Sequence, residues 1–66
     1  MLLIETRTSV YRLEKADDIN FKLTKVAIKL GCTSMAPAGT VFFGPEIRIT
    51  RNGLYLGDSK TSPIVL

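Results

Sequence analysis

The fold is decided by residues 18–32, DINFKLTKVAIKLGC, because this stretch fits two different structures. Apolar and polar residues alternate along it, which is typical of a half-buried strand. The alternation slips once, near residues 24–25, as it would at a β-bulge. A helix at about residues 18–30 is the alternative, but it leaves Phe21 and Ile28 on the face opposite its apolar stripe. We therefore favour a bulged strand.

The segment with the clearest pattern is the hairpin that follows. Residues 46–50 alternate between apolar and polar side chains, and so do residues 54–56. Asn52 and Gly53 lie between them, and an Asn-Gly pair supplies the positive φ that a tight hairpin turn requires. The sequence therefore predicts two antiparallel strands joined at residues 51–53.

The rest of the chain also predicts short strands separated by turns. Val, Ile and Thr are frequent, and such β-branched side chains favour pleated sheets. Together with the hairpin, the complete set of predicted strands covers residues 2–14, 19–30, 40–43, 46–50, 54–57 and 62–66. Residues 7–13 and 60–66 share a faint pattern, so the two ends could pair and close a barrel.

The predicted fold is thus an all-β domain over residues 1–66. It is a small barrel of five or six strands, similar in size to an SH3 or OB domain, with a bulged N-terminal meander. An α+β fold with the helix at 18–30 is the alternative. The side chains predicted to point inward are Ile4, Val10, Ile28, Leu30, Ile47, Ile49, Leu54 and Leu56.

Composition excludes several kinds of chemistry. The 66 residues include no histidine and one cysteine, Cys32. A disulfide framework, a Cys/His zinc site and a histidine-based catalytic triad therefore have no residues to form them. We expect a protein that is not an enzyme and has no cofactor and no metal. No apolar run is long enough for a membrane helix or a signal peptide, so we expect no membrane and a cytoplasmic location.

The apolar content favours self-association. Apolar residues make up 45% of the chain and the mean hydropathy is +0.20. A globule of this size has a radius of gyration of about 11 Å and cannot enclose that many apolar side chains. Phe42 and Phe43 precede Gly44 and Pro45, and we assign them to the core and to an interface. The leading hypothesis is a non-enzymatic binding or assembly module that acts as a homo-oligomer.

Nucleic-acid binding is the alternative hypothesis, because the chain carries a net charge of +3 and several aromatic residues. Small barrels bind single strands with basic and aromatic side chains on one sheet face. In the strand interpretation, Lys25 and Lys29 share a polar face, and Arg48 lies beside Tyr55. The candidate nucleic-acid contacts are Lys22, Lys25, Lys29, Arg48, Arg51 and Tyr55.

A second route to nucleic acid rests on residues 26–33, VAIKLGCT. This stretch resembles the first helix and turn of helix-turn-helix proteins, in which a recognition helix follows. The resemblance implies that the hairpin at Asn52 and Gly53 corresponds to the paired strands of a Cro-type repressor. Pro37 and Gly39 would then lie within the recognition helix, where both residues are unfavourable.

Overall fold

The computed structural model describes residues 2–33 and 36–65, and within them the chain is all-β. The predicted fold class is therefore confirmed. The alternative helix at residues 18–30 is wrong, because residues 21–28 form a strand and the rest of the segment is not helical. The helix-turn-helix interpretation of residues 26–33 is wrong because this stretch contains the end of that strand followed by a turn, and no helix. The radius of gyration is 11.0 Å.

Seven strands form two antiparallel sheets within the described residues. The first sheet has the order β1-β2-β3-β4 and the second has the order β5-β6-β7. The strands are β1 (Leu2–Glu5), β2 (Ser9–Lys15), β3 (Phe21–Ile28), β4 (Val41–Gly44), β5 (Ile47–Thr50), β6 (Gly53–Leu56) and β7 (Ser59–Lys60). The predicted hairpin is confirmed as β5 and β6, in which Ile47 pairs with Leu56 and Thr50 with Gly53.

The single strand predicted over residues 2–14 is wrong, because the chain reverses direction between β1 and β2. The turn is built by Thr6, whose side chain is buried. Its hydroxyl donates a hydrogen bond to the Ser9 carbonyl and accepts one from the Ser9 amide, each at 3.1 Å. A buried threonine thus replaces the Gly, Pro or Asn that usually marks a turn in a sequence.

The bulge predicted in the long middle strand is confirmed, and it lies at Val26. Tyr11 pairs with Lys25, whereas its neighbour Val10 pairs with Ala27, so Val26 has no partner in β2. The slip therefore falls just after Lys25. As a consequence Lys25 lies on the buried face with Leu23, and Val26 is exposed. The predicted placement of Lys25 on the polar face is wrong.

The core lies between the two sheets and is small. Its buried apolar side chains are Ile4, Tyr11, Leu23, Leu54 and Leu56. Leu13, Phe21, Phe42, Ile47 and Ile64 pack against it and are partly buried. Of the side chains predicted to point inward, Ile4, Leu54 and Leu56 are buried, and Val10, Ile28 and Ile47 are half-buried.

The inward prediction is wrong for Leu30 and Ile49. Leu30 is fully exposed because it follows the end of β3, where no strand of the second sheet covers it. Ile49 is 56% exposed. It shares a face with Leu54 but lies on the edge strand β5, where it lines a surface groove with Pro63 and Ile64.

The two ends of the described chain meet, although the last strand predicted at residues 62–66 is not formed. Ile64 makes a single antiparallel bridge to Thr6, and the Val65 amide donates to the Glu5 carbonyl at 3.0 Å. Leu66 lies outside the described residues. On the other side β4 contacts β6 without pairing, so residues 2–33 and 36–65 form two sheets and not a closed barrel.

Two glycines allow the close approaches on which this packing depends. A Cβ atom on Gly44 would lie 3.1 Å from the Gly57 nitrogen and 3.2 Å from Leu56, where β4 meets the second sheet. Gly53 has a φ of +138°, and a Cβ atom there would lie 2.4 Å from the Thr61 carbonyl oxygen. The predicted need for a positive φ in the hairpin is therefore met at Gly53.

Truncating Leu54 should destabilise the fold far more than truncating its cross-strand neighbour Ile49. Leu54 is only 1% exposed, so Leu54→Ala removes core contacts and leaves a cavity, at a cost of about 2–5 kcal/mol. Ile49→Ala removes contacts only from an exposed groove. Urea denaturation of both variants measures the difference, and equal losses of stability would contradict the core described above.

Replacing Gly53 with alanine should cost more than the same change at Gly39. Gly39 also has a positive φ, +93°, but a Cβ atom there would have open space for 4 Å around it. Gly39→Ala therefore reports backbone strain alone, about 1–3 kcal/mol. Gly53→Ala adds a clash with the Thr61 backbone, so its thermal midpoint should fall further. A smaller fall for Gly53→Ala would show that β6 and residue 61 are not in contact.

Candidate functional site

One candidate site is a row of three side chains across the second sheet, which we name the cation–aromatic row. Arg48 on β5 pairs with Tyr55 on β6, and Tyr55 pairs with Lys60 on β7. Because Leu54 and Leu56 face the core, alternation places the row on the outer face of this sheet. The Arg48 guanidinium carbon lies 5.2 Å from the Tyr55 ring centre, and the Lys60 Nζ lies 5.5 Å from it.

Both cations are within the range of a cation–π interaction, which contributes about 0.5–1 kcal/mol at an exposed site. Arg48 and Lys60 are exposed, and Tyr55 is half-buried. The ring therefore has one positive charge on either side of it on a solvent-facing surface. Because the two cations lie on strands roughly 10 Å apart, the arrangement favours a ligand with two anionic groups, one for each cation.

Sequence reasoning identified Arg48 and Tyr55 but missed Lys60. The strand that carries Lys60 has only two residues, too few for an alternating pattern. Gly57 and Asp58 mark a tight turn, however, and Gly57 has a φ of +58°. A two-residue turn at this point places Lys60 opposite Tyr55, so the turn signal could have located the third member of the row.

A groove of about 550 Å³ adjoins the row. Its lining combines apolar and charged side chains: Phe21, Pro45, Glu46, Ile47, Arg48, Tyr55 and Gly57. Arg48 and Tyr55 thus belong to both the row and the groove. The groove offers flat apolar surfaces from Phe21, Pro45 and Tyr55, and one carboxylate from Glu46.

Lys25, a predicted nucleic-acid contact, lies inside the protein. Its side chain is 2% exposed, and its Nζ donates a hydrogen bond to the Ala36 carbonyl at 2.9 Å. The same Nζ lies 5.5 Å from the ring centre of Tyr11. Burial lowers the pKa of Lys25 and raises the pKa of Tyr11, because it disfavours the charged form of each. Lys25 thus fastens the segment before β4 to the first sheet.

The remaining predicted contacts are dispersed over the surface. Lys22 lies on the outer face of the first sheet, where it pairs across the strands with Glu14. Lys29 forms an ion pair with Glu5. Arg51 lies in the turn between β5 and β6 and lines a second groove, of about 410 Å³. The structure therefore brings only Arg48 and Tyr55 of the predicted set together.

A second candidate site is the outward-facing side of the four-stranded sheet, which we name the outer sheet face. Leu3, Val41 and Phe43 are exposed there, and Phe43 is 62% exposed. Phe42 has the opposite orientation and packs against the core. The adjacent phenylalanines are therefore divided between the interior and the surface, as alternation along β4 requires.

Charged side chains accompany these apolar residues on the outer sheet face. The Arg12 Nε lies 3.1 Å from the Glu14 Oε1 on the same strand. Lys22 lies between Glu14 and Phe43 in the cross-strand register. Both signs of charge are thus present around an exposed apolar patch.

Other functional groups are few in the described part of the chain. Cys32 is a free, half-buried thiol whose sulfur lies 3.8 Å from the Arg7 carbonyl oxygen. No cluster of three or more His, Cys, Asp or Glu side chains that could hold a metal ion occurs among the described residues. The described residues likewise contain no helix with the length and apolarity needed to cross a membrane.

Comparison with known proteins gives no relative on which a function could be based. No protein-family model, curated protein or solved structure matches the chain. The candidate sites are therefore interpreted from their own geometry.

Replacing Lys25 with methionine should change how stability depends on pH. Because burial lowers the pKa of Lys25 from 10.5, the unfolded chain binds this proton more tightly than the folded chain does. The wild type then gains stability as the pH rises from the lowered pKa towards 10.5. At pH values below the lowered pKa, Lys25 is charged in the folded protein and the full free-energy cost of burying that charge remains. Lys25→Met lacks this titration.

Urea denaturation of both proteins at a series of alkaline pH values measures this effect. The free energy of unfolding of the wild type should rise relative to that of Lys25→Met as the pH approaches 10.5. A difference between the two proteins that stays constant with pH would contradict the burial of the Lys25 ammonium group.

Proposed function

We propose that the protein is a non-enzymatic assembly module that works as a homo-oligomer. The elementary contact of this assembly pairs two copies of the chain through the outer sheet face. The observation that carries the proposal is the exposure of Leu3, Val41 and Phe43 on that face. An apolar patch with a polar rim is typical of a protein–protein interface.

The small core is a second argument for assembly. Only five apolar side chains are buried in the core cluster of the described residues. Chains of this length bury a smaller fraction of their surface on folding than larger domains do, and some of them gain stability by association. Covering Phe43 and its neighbours with a second copy would add apolar burial that one chain does not supply.

The charged side chains of the outer sheet face favour a second copy of this chain as the partner that covers it. A two-fold axis brings the same face of both copies together, so the side chains of the outer sheet face on one copy contact the side chains of the same face on the other. The outer sheet face carries Arg12 and Lys22 together with Glu14. The cations of one copy can therefore lie opposite the carboxylate of the other, which makes the face complementary to itself.

The chain has enough surface for such a contact. A standard protein–protein interface covers about 800 Å² of each partner. The accessible surface of the chain is 4599 Å². The contact would therefore use about a sixth of the surface and leave the cation–aromatic row on the second sheet uncovered.

Sedimentation equilibrium of the wild type and of Phe43→Asp tests the assembly. We expect the wild type to sediment above its chain mass of 7.3 kDa, with a mass that rises with concentration. Phe43→Asp should sediment as a monomer, because it places a charge in the apolar patch. Ile19→Asp is the matched control, since Ile19 is 72% exposed but lies in the turn between β2 and β3.

Two results would overturn the proposal. One is a wild type that remains at the chain mass at high protein concentration. The other is an oligomer that Phe43→Asp leaves intact while the variant stays folded by circular dichroism, because the contact would then lie elsewhere. Dissociation by Phe43→Asp but not by Ile19→Asp supports it.

A further inference from the structure

We infer that the cation–aromatic row and the groove beside it bind single-stranded nucleic acid. A base lies in the groove beside Tyr55 and stacks on the Arg48 guanidinium that covers the ring, and the phosphates on either side of it contact Arg48 and Lys60. This inference goes beyond assembly and concerns the opposite surface of the molecule. The row faces away from the core on the second sheet, and the outer sheet face does so on the first.

The first argument is the combination of groups in the row. Proteins bind single strands with aromatic rings on which bases stack, together with cations that follow the backbone. Tyr55 supplies the ring, and Arg48 and Lys60 lie 5.2 and 5.5 Å from its centre on the two neighbouring strands. Adjacent strands are about 4.8 Å apart, so the two cations lie on either side of the ring along one line.

The second argument is the shape and lining of the groove. Its volume of about 550 Å³ is in the range of ordinary small-molecule sites. Phe21 and Pro45 offer flat apolar surfaces to a base that has left its stack. Glu46 can accept a hydrogen bond from an exocyclic amino group. Its negative charge also directs phosphates away from the groove and towards Arg48 and Lys60.

The third argument is that several of the other basic side chains are paired with carboxylates or buried. Lys29 and Arg12 form ion pairs with Glu5 and Glu14, and Lys25 is buried. Arg48 and Lys60, by contrast, are exposed and contact an aromatic ring. The row places two exposed cations at one aromatic ring, whereas Lys22 alone lies beside Phe43, and this favours stacking with an unpaired strand over binding to the outside of a duplex.

Fluorescence anisotropy with a labelled single strand of dC, whose bases carry an exocyclic amino group, tests the inference; its length is about 4–16 nucleotides, the site size of one small β-barrel. We expect Tyr55→Ala to weaken binding roughly 10-fold, which is within the range for loss of one base-stacking contact. Tyr55→Phe keeps the ring and should bind nearly as the wild type does. Circular dichroism establishes that both variants are folded, since Tyr55 is half-buried.

The salt dependence tests the two cations separately. Two phosphate contacts give a slope of about −1.4 for the logarithm of the binding constant against that of the salt concentration. Arg48→Gln and Lys60→Gln should each reduce the slope by about 0.7. Arg7→Gln is the matched control, because Arg7 is exposed in the turn between β1 and β2, outside the row and the outer sheet face, so removing its charge should leave the slope unchanged.

Three results would overturn the inference. They are no binding at low salt, equal effects of Lys60→Gln and Arg7→Gln, and displacement of the strand by a polyglutamate peptide at equal charge concentration. The last result would indicate a site for acidic peptides. Phe43→Asp separates this inference from assembly, since a monomeric variant that still binds the strand supports the row even though the oligomer is lost.

Discussion

The contact between the two sheets is the constraint on which the rest of the structure depends. Leu54 and Leu56 of the second sheet meet Ile4, Tyr11 and Leu23 of the first, and these side chains form the buried core. Because the core contains few side chains, the two sheets must lie close together to bury it. Gly44 permits the close approach of β4 to Leu56. Because side chains alternate along strands, this contact also determines which residues face outward. Both candidate sites are therefore consequences of the same packing.

The position of the bulge at Val26 decides where Lys25 lies. Because the bulge follows Lys25, the lysine keeps the phase of Leu23, two residues before it, and lies on the buried face against Tyr11. A buried ammonium group is costly unless it is hydrogen-bonded, and the Ala36 carbonyl supplies such a bond. The lysine thus ties the long segment between β3 and β4 to the first sheet instead of contributing to a basic surface.

The two proposed surfaces lie on opposite sides of the molecule and can act together. Pairing through the outer sheet face leaves one cation–aromatic row exposed on each copy. Two rows on one assembly would engage a single strand at two points, and linked contacts of this kind increase the overall affinity without any new interaction. Assembly would therefore strengthen binding by a protein whose individual site is small.

The sequence by itself determined the all-β class, the hairpin at Gly53 and the bulge in the middle strand, because period-2 alternation and turn residues are local signals. It also placed Arg48 beside Tyr55. Only the tertiary structure decided that Thr6 makes a turn and that Ile49 is exposed. Alternation shows which side chains share a face of a strand, but not how far the other sheet covers that face. That coverage depends on contacts between residues distant in the chain, such as Ile64 with Thr6.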